Sequence, residues 1–495
     1  MLKLNKDVLF LIAENLQDDM ISLCSCLLVN KSWCEVTVPI LWKTPGRMVL
    51  TEKAEDKLFN VILLHLSKDS KDILKNQGIN LYTETYRPTS FNYINFWRHL
   101  DLQFLEETFS RNLKILEVST SSMIKNELLN IFINKYTKFI SLFIPENINY
   151  DIYRISWSEQ CFSDLKNLCC HEFHQNILEG LATISKSIKK LFCYISRDNN
   201  DISRIIKLIE AQNNLNEIHL SCDNDEVLKT IEKLLIKKAD TIQHLRLDWE
   251  PVTEFLSHLV NLKILDMETP FLFRRSKNYA NQNLNQLEET SLPALKILKA
   301  NLSSYIILIR LIETANVQLT TIGISHDSLK EIDEIRRLTQ TIYQNCPNLR
   351  YIKLPIKDYT LTEFERLLAN SQYLDGLVID YERGFDYKDV FEILIRSSPS
   401  NLSKFKFIFT EKFGLNFELL ESFLNKWNHR QPMLLQISLV NFIDEHQWYM
   451  KQLKSLIKNY EMKGIIKKFD LNWHANFEDF EWVQDVSQFY FLPYI

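Results

Sequence analysis

Residues with the chemistry to bind a metal or attack a substrate are few in this chain. Cys169-Cys170-His171-Glu172-Phe173-His174 places two thiols and two imidazoles within six positions, the donor types that zinc accepts. A zinc site also needs a second ligand pair at a defined spacing, and no Cys-x-x-Cys occurs anywhere. Cys170 moreover falls on the third apolar position of a short recurring pattern, which directs it inward. His326-Asp327-Ser328 holds the three residue types of a nucleophilic triad. Residues adjacent in sequence cannot form the triad's relay, and Ser328 reads better as a helix cap. No Gly-x-Gly-x-x-Gly and no Gly-Lys-Ser/Thr phosphate loop is present. The expectation is a protein without catalytic residues, metal or cofactor.

Composition narrows the class. The chain has 495 residues, 46% hydrophobic and 24% charged, so it must form several domains or one elongated array. A net charge of −5 argues against a nucleic-acid partner, because neutralising phosphates needs a basic surface. Nine cysteines are too few for a secreted disulfide scaffold and suit a reducing compartment, the cytoplasm and/or nucleus. Lys3 and Lys6 precede a short apolar run, but Glu14, Asp18 and Asp19 follow at once, unlike a signal peptide. No apolar run approaches the roughly 18 residues of a membrane span.

The elements that position any site come from a repeat. An apolar-x-x-apolar-x-apolar pattern starts at Leu113, Phe139, Leu165, Ile188, Leu215, Ile242, Leu262, Leu295, Leu319, Leu349, Leu374, Leu402, Leu434 and Ile466, with a possible earlier copy at Trp97. Spacing averages about 27 residues. Alternation such as Leu245 and Leu247 is strand periodicity. Between copies the period turns helical. Ser328-Leu329-Lys330-Glu331 and Thr360-Leu361-Thr362-Glu363 read as capping boxes. Pro293, Pro347 and Pro432 each stand two residues before an anchor and end the preceding helix. A strand and a helix in each period make the leucine-rich-repeat signature: an α/β right-handed solenoid, or horseshoe, with parallel strands on its concave side. Asn345-Cys346-Pro347-Asn348-Leu349-Arg350-Tyr351-Ile352-Lys353-Leu354 closely resembles the cysteine-containing class of these repeats. The expected boundaries are 1–45 for an N-terminal helical unit, 46–95 for a helical linker and 96–475 for the solenoid. An aromatic-rich cap, with Phe477, Phe480 and Trp482, covers 476–495.

The outward position at the centre of each strand should form the working column. It reads Glu117, Phe143, Cys169, Phe192, His219, Arg246, Asp266, Lys299, Gly323, Lys353, Val378, Lys406, Ser438 and Asp470. Mixed signs suit a protein partner better than a polyanion. Candidate substrate-binding residues are His219, Arg246, Asp266, Lys299, Lys353 and Lys406.

Three short helices are expected before residue 45. Val8, Leu9, Ile12 and Leu16 line one side of the first, Asp18 or Asp19 caps the second, and Pro39 limits the third. Leu4-Asn5-Lys6-Asp7-Val8-Leu9 with Ile12 and Leu16, then Val29-Asn30-Lys31-Ser32-Trp33, then Leu41-Trp42, resembles the F-box. Asn5 stands where the family has Pro. With the repeats, the chain resembles fungal-type F-box/leucine-rich-repeat proteins. The resemblance implies a non-catalytic, substrate-recognising subunit of an SCF-type ubiquitin ligase. The F-box would hold a Skp-family adaptor, and through it a cullin scaffold, by way of Leu4, Asn5, Val8, Ile12, Leu16 and Trp33. The repeats would present an unknown protein substrate for ubiquitin-dependent, proteasomal degradation. A repeat scaffold acting outside any ligase is the alternative.

Overall fold

The computed structural model describes residues 4–471, apart from 18, 48–49, 78–88, 114–116, 147–151, 172–174, 196–201, 223, 269–289, 302–304, 316–317, 326–331, 382–386, 410–415 and 440–446. The Ser328–Glu331 box, His174, Leu116 and the C-terminal cap therefore lie outside the described residues. The chain divides into two compact units, one ending at Asn216 and one beginning at Glu217.

The first unit opens with three helices, α1 (Lys6–Asn15), α2 (Met20–Cys26) and α3 (Lys31–Leu41). Side-chain oxygens cap each start. Asn5 accepts from the Asp7 N–H, Asp19 from Ser22, and Asn30 from Ser32 and Trp33. Ala13, Leu23, Ile40 and Leu41 form a small core, with Leu16, Met20, Leu27 and Trp42 packed on it. Two expectations change here. Pro39 lies inside α3 rather than limiting it. Its ring removes one backbone bond near the helix end, while buried Ile40 and Leu41 hold the last turn in place. The apolar side of α1 also splits in two. Leu9 and Ala13 turn inward, whereas Val8 and Ile12 face out. Small Ala13 lets α3 approach closely, and one helix face cannot bury both stripes against a single neighbour.

Helices Glu52–Leu64 and Lys68–Asn76 follow. Next come the parallel strands β1 (His99–Asp101), β2 (Ser141–Phe143), β3 (Asn167–His171) and β4 (Lys190–Ile195), each paired with the next. The first strand thus belongs to the Trp97 copy of the pattern, not the Leu113 copy. Leu113 ends the helix Leu102–Asn112, and Val118 begins the helix Val118–Phe132. Glu117 precedes that helix and has no place in the strand column.

The second unit is a ladder of ten strands: β5 (Glu217–Cys222), β6 (His244–Leu247), β7 (Ile264–Glu268), β8 (Ile297–Asn301), β9 (Thr321–Ile324), β10 (Tyr351–Pro355), β11 (Gly376–Tyr381), β12 (Lys404–Phe409), β13 (Met433–Leu439) and β14 (Ile466–Asp470). Each pairs in parallel with its successor. Apart from Leu434, the anchors of this unit and the alternate strand residues Leu245, Leu265, Ile352 and Leu377 are buried, none more than 1% exposed. Where the repeat is shortest, between Ile242 and Leu262, only a 3-10 turn at Phe255–His258 fits. The other connections among the described residues include full helices such as Ile332–Asn345 and Phe417–Lys426.

Two local details differ from the sequence reading. The Thr360 hydroxyl accepts from the Lys357 N–H at 3.0 Å, closing a 3-10 turn. Glu363 instead accepts from the Tyr343 hydroxyl at 3.1 Å, so the expected Thr360–Glu363 box does not form. On β13, buried Met433 takes the anchor's role just after Pro432. Gln436, not Ser438, then stands opposite Lys406 and Asp470.

Candidate functional site

Two surfaces carry the sequence-predicted residues. On the first unit, Leu4, Val8 and Ile12 are 55%, 42% and 37% exposed. Four residues make slightly more than one helical turn, so the three stack as one stripe along α1 and its entry. Ile21 and Leu28 extend the exposed apolar surface on the neighbouring helix and turn. Leu16 rests on the core and Trp33 is half-buried at the start of α3. A salt bridge fixes α1 to α3: Lys6 Nζ lies 2.6 Å from Glu35 Oε2, and that hydrogen bond lowers the Glu35 carboxyl's pKa. Asn5 already holds φ at −62°, the angle proline imposes. Asn5→Pro would gain about 0.5 kcal/mol from a stiffer unfolded chain but would lose the side-chain cap on the Asp7 N–H, about 1 kcal/mol. It should therefore lower the unfolding midpoint of this unit slightly, and calorimetry showing a higher midpoint would contradict that.

On the open face of the sheet the column residues are drier than expected. Arg246 and Asp266 are buried, as are Phe143, Cys169, Val378 and Gln436. Neighbouring strands lie only about 4.8 Å apart, so long side chains in a column cover one another. In the second unit His219, Arg246 and Asp266 converge with Asp248, which the column reading missed. His219 Nε2 lies 3.6 Å from Asp248 Oδ1. Arg246 bridges Asp248 and Asp266, 4.0 Å from each. Burial holds the His219 imidazole below its usual pKa, with Asp248 opposing. Asp248 has the same strand parity as Arg246, two residues on, which is the signal that could have found it.

Over β8–β12 the same face carries Lys299, Lys353, Lys404 and Lys406 against one acidic strand position, Asp380. Lys353 Nζ donates to Ser325 Oγ at 3.0 Å. Lys404 Nζ donates to the Tyr351 hydroxyl at 3.1 Å and sits 5.3 Å from its ring centre. Burial pushes the Lys406 ammonium down to about 8; the Lys353 charge adds to this and Asp470 opposes it. The folded value lies below the unfolded 10.5. The charged form therefore destabilises the fold below about pH 8, and the penalty fades as pH rises to 10.5. Lys406→Met should stabilise the protein by about 1–3 kcal/mol at pH 7. The gain should shrink in urea unfolding at pH 10. No gain at pH 7 would contradict the assignment.

In the first unit, Asp101 N-caps the helix after β1 by accepting from the Phe104 N–H at 3.0 Å. Burial raises its pKa to about 6. Burial also keeps the Cys169 thiol protonated well above its usual range, which makes it a poor nucleophile or metal ligand. Among the described residues no group of three His, Cys, Asp or Glu side chains could hold a metal ion. No described helix is long and apolar enough to cross a membrane.

No family model and no curated protein matches the chain. Among solved structures it is similar to the leucine-rich repeat-containing protein LegL7 from Legionella pneumophila, at 13% identity and a TM-score of 0.36. That similarity covers 55% of this chain and 98% of the other. The repeat architecture itself rests on the strand ladder and its register.

Proposed function

We propose that the protein is an adaptor that joins two other proteins: a substrate-recognising subunit of an SCF-type ubiquitin ligase. The exposed stripe of Leu4, Val8 and Ile12 carries this reading. These side chains stand on a helical unit that already has its own core. They are therefore spare apolar surface, the kind that marks a protein contact. The F-box resemblance supplies the occupant, a Skp-family adaptor bound in turn to a cullin scaffold.

In this reading the open sheet face receives the protein substrate. Repeats present such a face because each strand contributes one row of outward side chains to a continuous surface. The chain takes no covalent step. It brings a substrate lysine near a ubiquitin-charged conjugating enzyme, and proximity supplies the rate. The protein would work in the cytoplasm or nucleus.

The test is capture of a purified Skp-family adaptor by the purified chain. Stoichiometric capture through the α1 stripe supports the ligase reading. Absence of capture by the wild-type chain favours a repeat scaffold that works outside any ligase.

A further inference from the structure

We propose that the open face over β8–β12 is a binding site for an acidic protein segment, whose carboxylate or phosphoryl oxygens seat between Lys353 and Lys406 with Lys299 and Lys404 flanking. The proposal deepens the reading that this face receives the substrate, and rests on it.

Register places the four lysines in two adjacent rows. One row runs Lys299, Gly323, Lys353, Val378, Lys406 across five consecutive strands. The other runs Thr321, Tyr351, Gly376, Lys404. Lys353 and Lys406 are two strands apart, so their backbones are separated by about 10 Å. Long lysine stems can reach one small oxyanion from both sides of that gap.

Glycine opens space in each row. A side chain at Gly323 would begin 3.5 Å from Lys299 Cγ, so the Lys299 stem leans close beside this strand. At Gly376, with no side chain in the way, Lys404 Nζ reaches across to the Tyr351 hydroxyl. Ser325 and Tyr351 add hydroxyl groups beside the ammonium groups. Val378 and Gly376 stand on the strand between Lys353 and Lys406, and ammonium and hydroxyl donors around such a low floor suit an oxyanion. The present hydrogen bonds to Ser325 and Tyr351 can be shared with it.

The charge is local. No Asp or Glu stands in either row from β8 to β12, and Asp380, one row further along β11, is the acidic position of this face there; Glu217, Asp248 and Asp266 lie over β5–β7 and Asp470 on β14. A nucleic-acid backbone needs a longer basic track than five strands bounded by carboxylates. A short acidic stretch of an extended peptide fits within those bounds. The desolvated state of Lys406 agrees, since an arriving anion would compensate a buried ammonium.

The test uses the purified full chain and three fluorescein-labelled peptides of one sequence, carrying serine, glutamate or phosphoserine at the same central positions. A labelled oligo-uridine serves as the fourth probe. Anisotropy should show binding of the glutamate or phosphoserine peptide and none of the serine peptide. Which acidic peptide binds tighter identifies carboxylate or phosphoryl as the preferred group. The double variant K353Q/K406Q should weaken that binding by about tenfold or more. Lys454→Gln, on the exposed side of a helix, should not. If the double variant fails to fold by circular dichroism, Lys353→Gln alone carries the test.

Three results overturn the proposal: acidic peptides binding no better than the serine peptide, K353Q/K406Q binding as tightly as wild type, or oligo-uridine binding tighter than any peptide. Adaptor capture is measured on the same samples. Peptide failure with capture intact sinks this proposal alone. Loss of wild-type capture sinks the ligase reading, whatever the peptides do.

Discussion

Ile12→Asp should abolish capture of the Skp-family adaptor while the protein stays folded. Ile12 is 37% exposed, so in the free chain an aspartate there keeps much of its hydration. The small core of Ala13, Leu23, Ile40 and Leu41 does not include it. In the complex the same carboxylate would face apolar contacts without a partner, which costs several kcal/mol. Apolar anchors near an interface centre carry most of the binding energy, so one such charge suffices. Ala13→Asp gives the contrast. Ala13 is fully buried one residue away, and a charge there should unfold the three helices rather than act on binding alone. The measurement is a quantitative pull-down with purified adaptor, paired with circular dichroism. Equal capture by wild type and Ile12→Asp would remove the α1 stripe from any role in adaptor binding.

The stripe shows what a sequence reveals and what it withholds. Helical spacing marked Val8, Leu9, Ile12 and Leu16 as apolar together. It could not say which of them face α3, because that choice depends on where Ala13 lets the neighbouring helix approach. The repeat period was legible for a different reason. Each strand must place its anchor and alternate residues under a helix, so Leu245, Leu265, Ile352 and Leu377 recur in a form any copy repeats. One copy misled. Leu113, Leu116 and Val118 are also compatible with helical packing, and short apolar runs do not distinguish strand from helix. Leu113 and Val118 prove to flank the junction of two helices. The column on the open face was legible as a list of positions but not as an environment. Arg246 and Asp266 are buried beside His219 and Asp248, and His219, Arg246 and Asp266 come from three different strands that only the register brings together. Likewise the contact between Lys404 and Tyr351 depends on Gly376 standing between them in register.

Phe423→Ala should be the most destabilising single change among the aromatic residues of the second unit. Phe423 lies on the helix Phe417–Lys426 and is 1% exposed. Its ring stacks on Phe391 at 4.7 Å between centres. It also meets Trp427 at 5.4 Å, Phe405 at 6.2 Å and Phe407 at 6.5 Å. Those partners come from the preceding helix, from β12 beneath and from its own next turn, so the ring ties successive repeats together. Truncation leaves a cavity that rigid neighbouring rings cannot fill, a loss of about 3–5 kcal/mol. Phe423→Leu keeps most of the volume and should lose roughly 1 kcal/mol. In a repeat array stability is held by each unit and its interfaces with its neighbours. The damage should therefore appear first as faster amide hydrogen exchange in β11, β12 and β13, with the N-terminal helices unaffected. Adaptor capture should survive, because α1 to α3 form their own core. An unchanged urea midpoint for Phe423→Ala would mean that the aromatic cluster does not hold these repeats together. Exchange that accelerated equally in the N-terminal helices would mean that the two ends of the chain unfold as one.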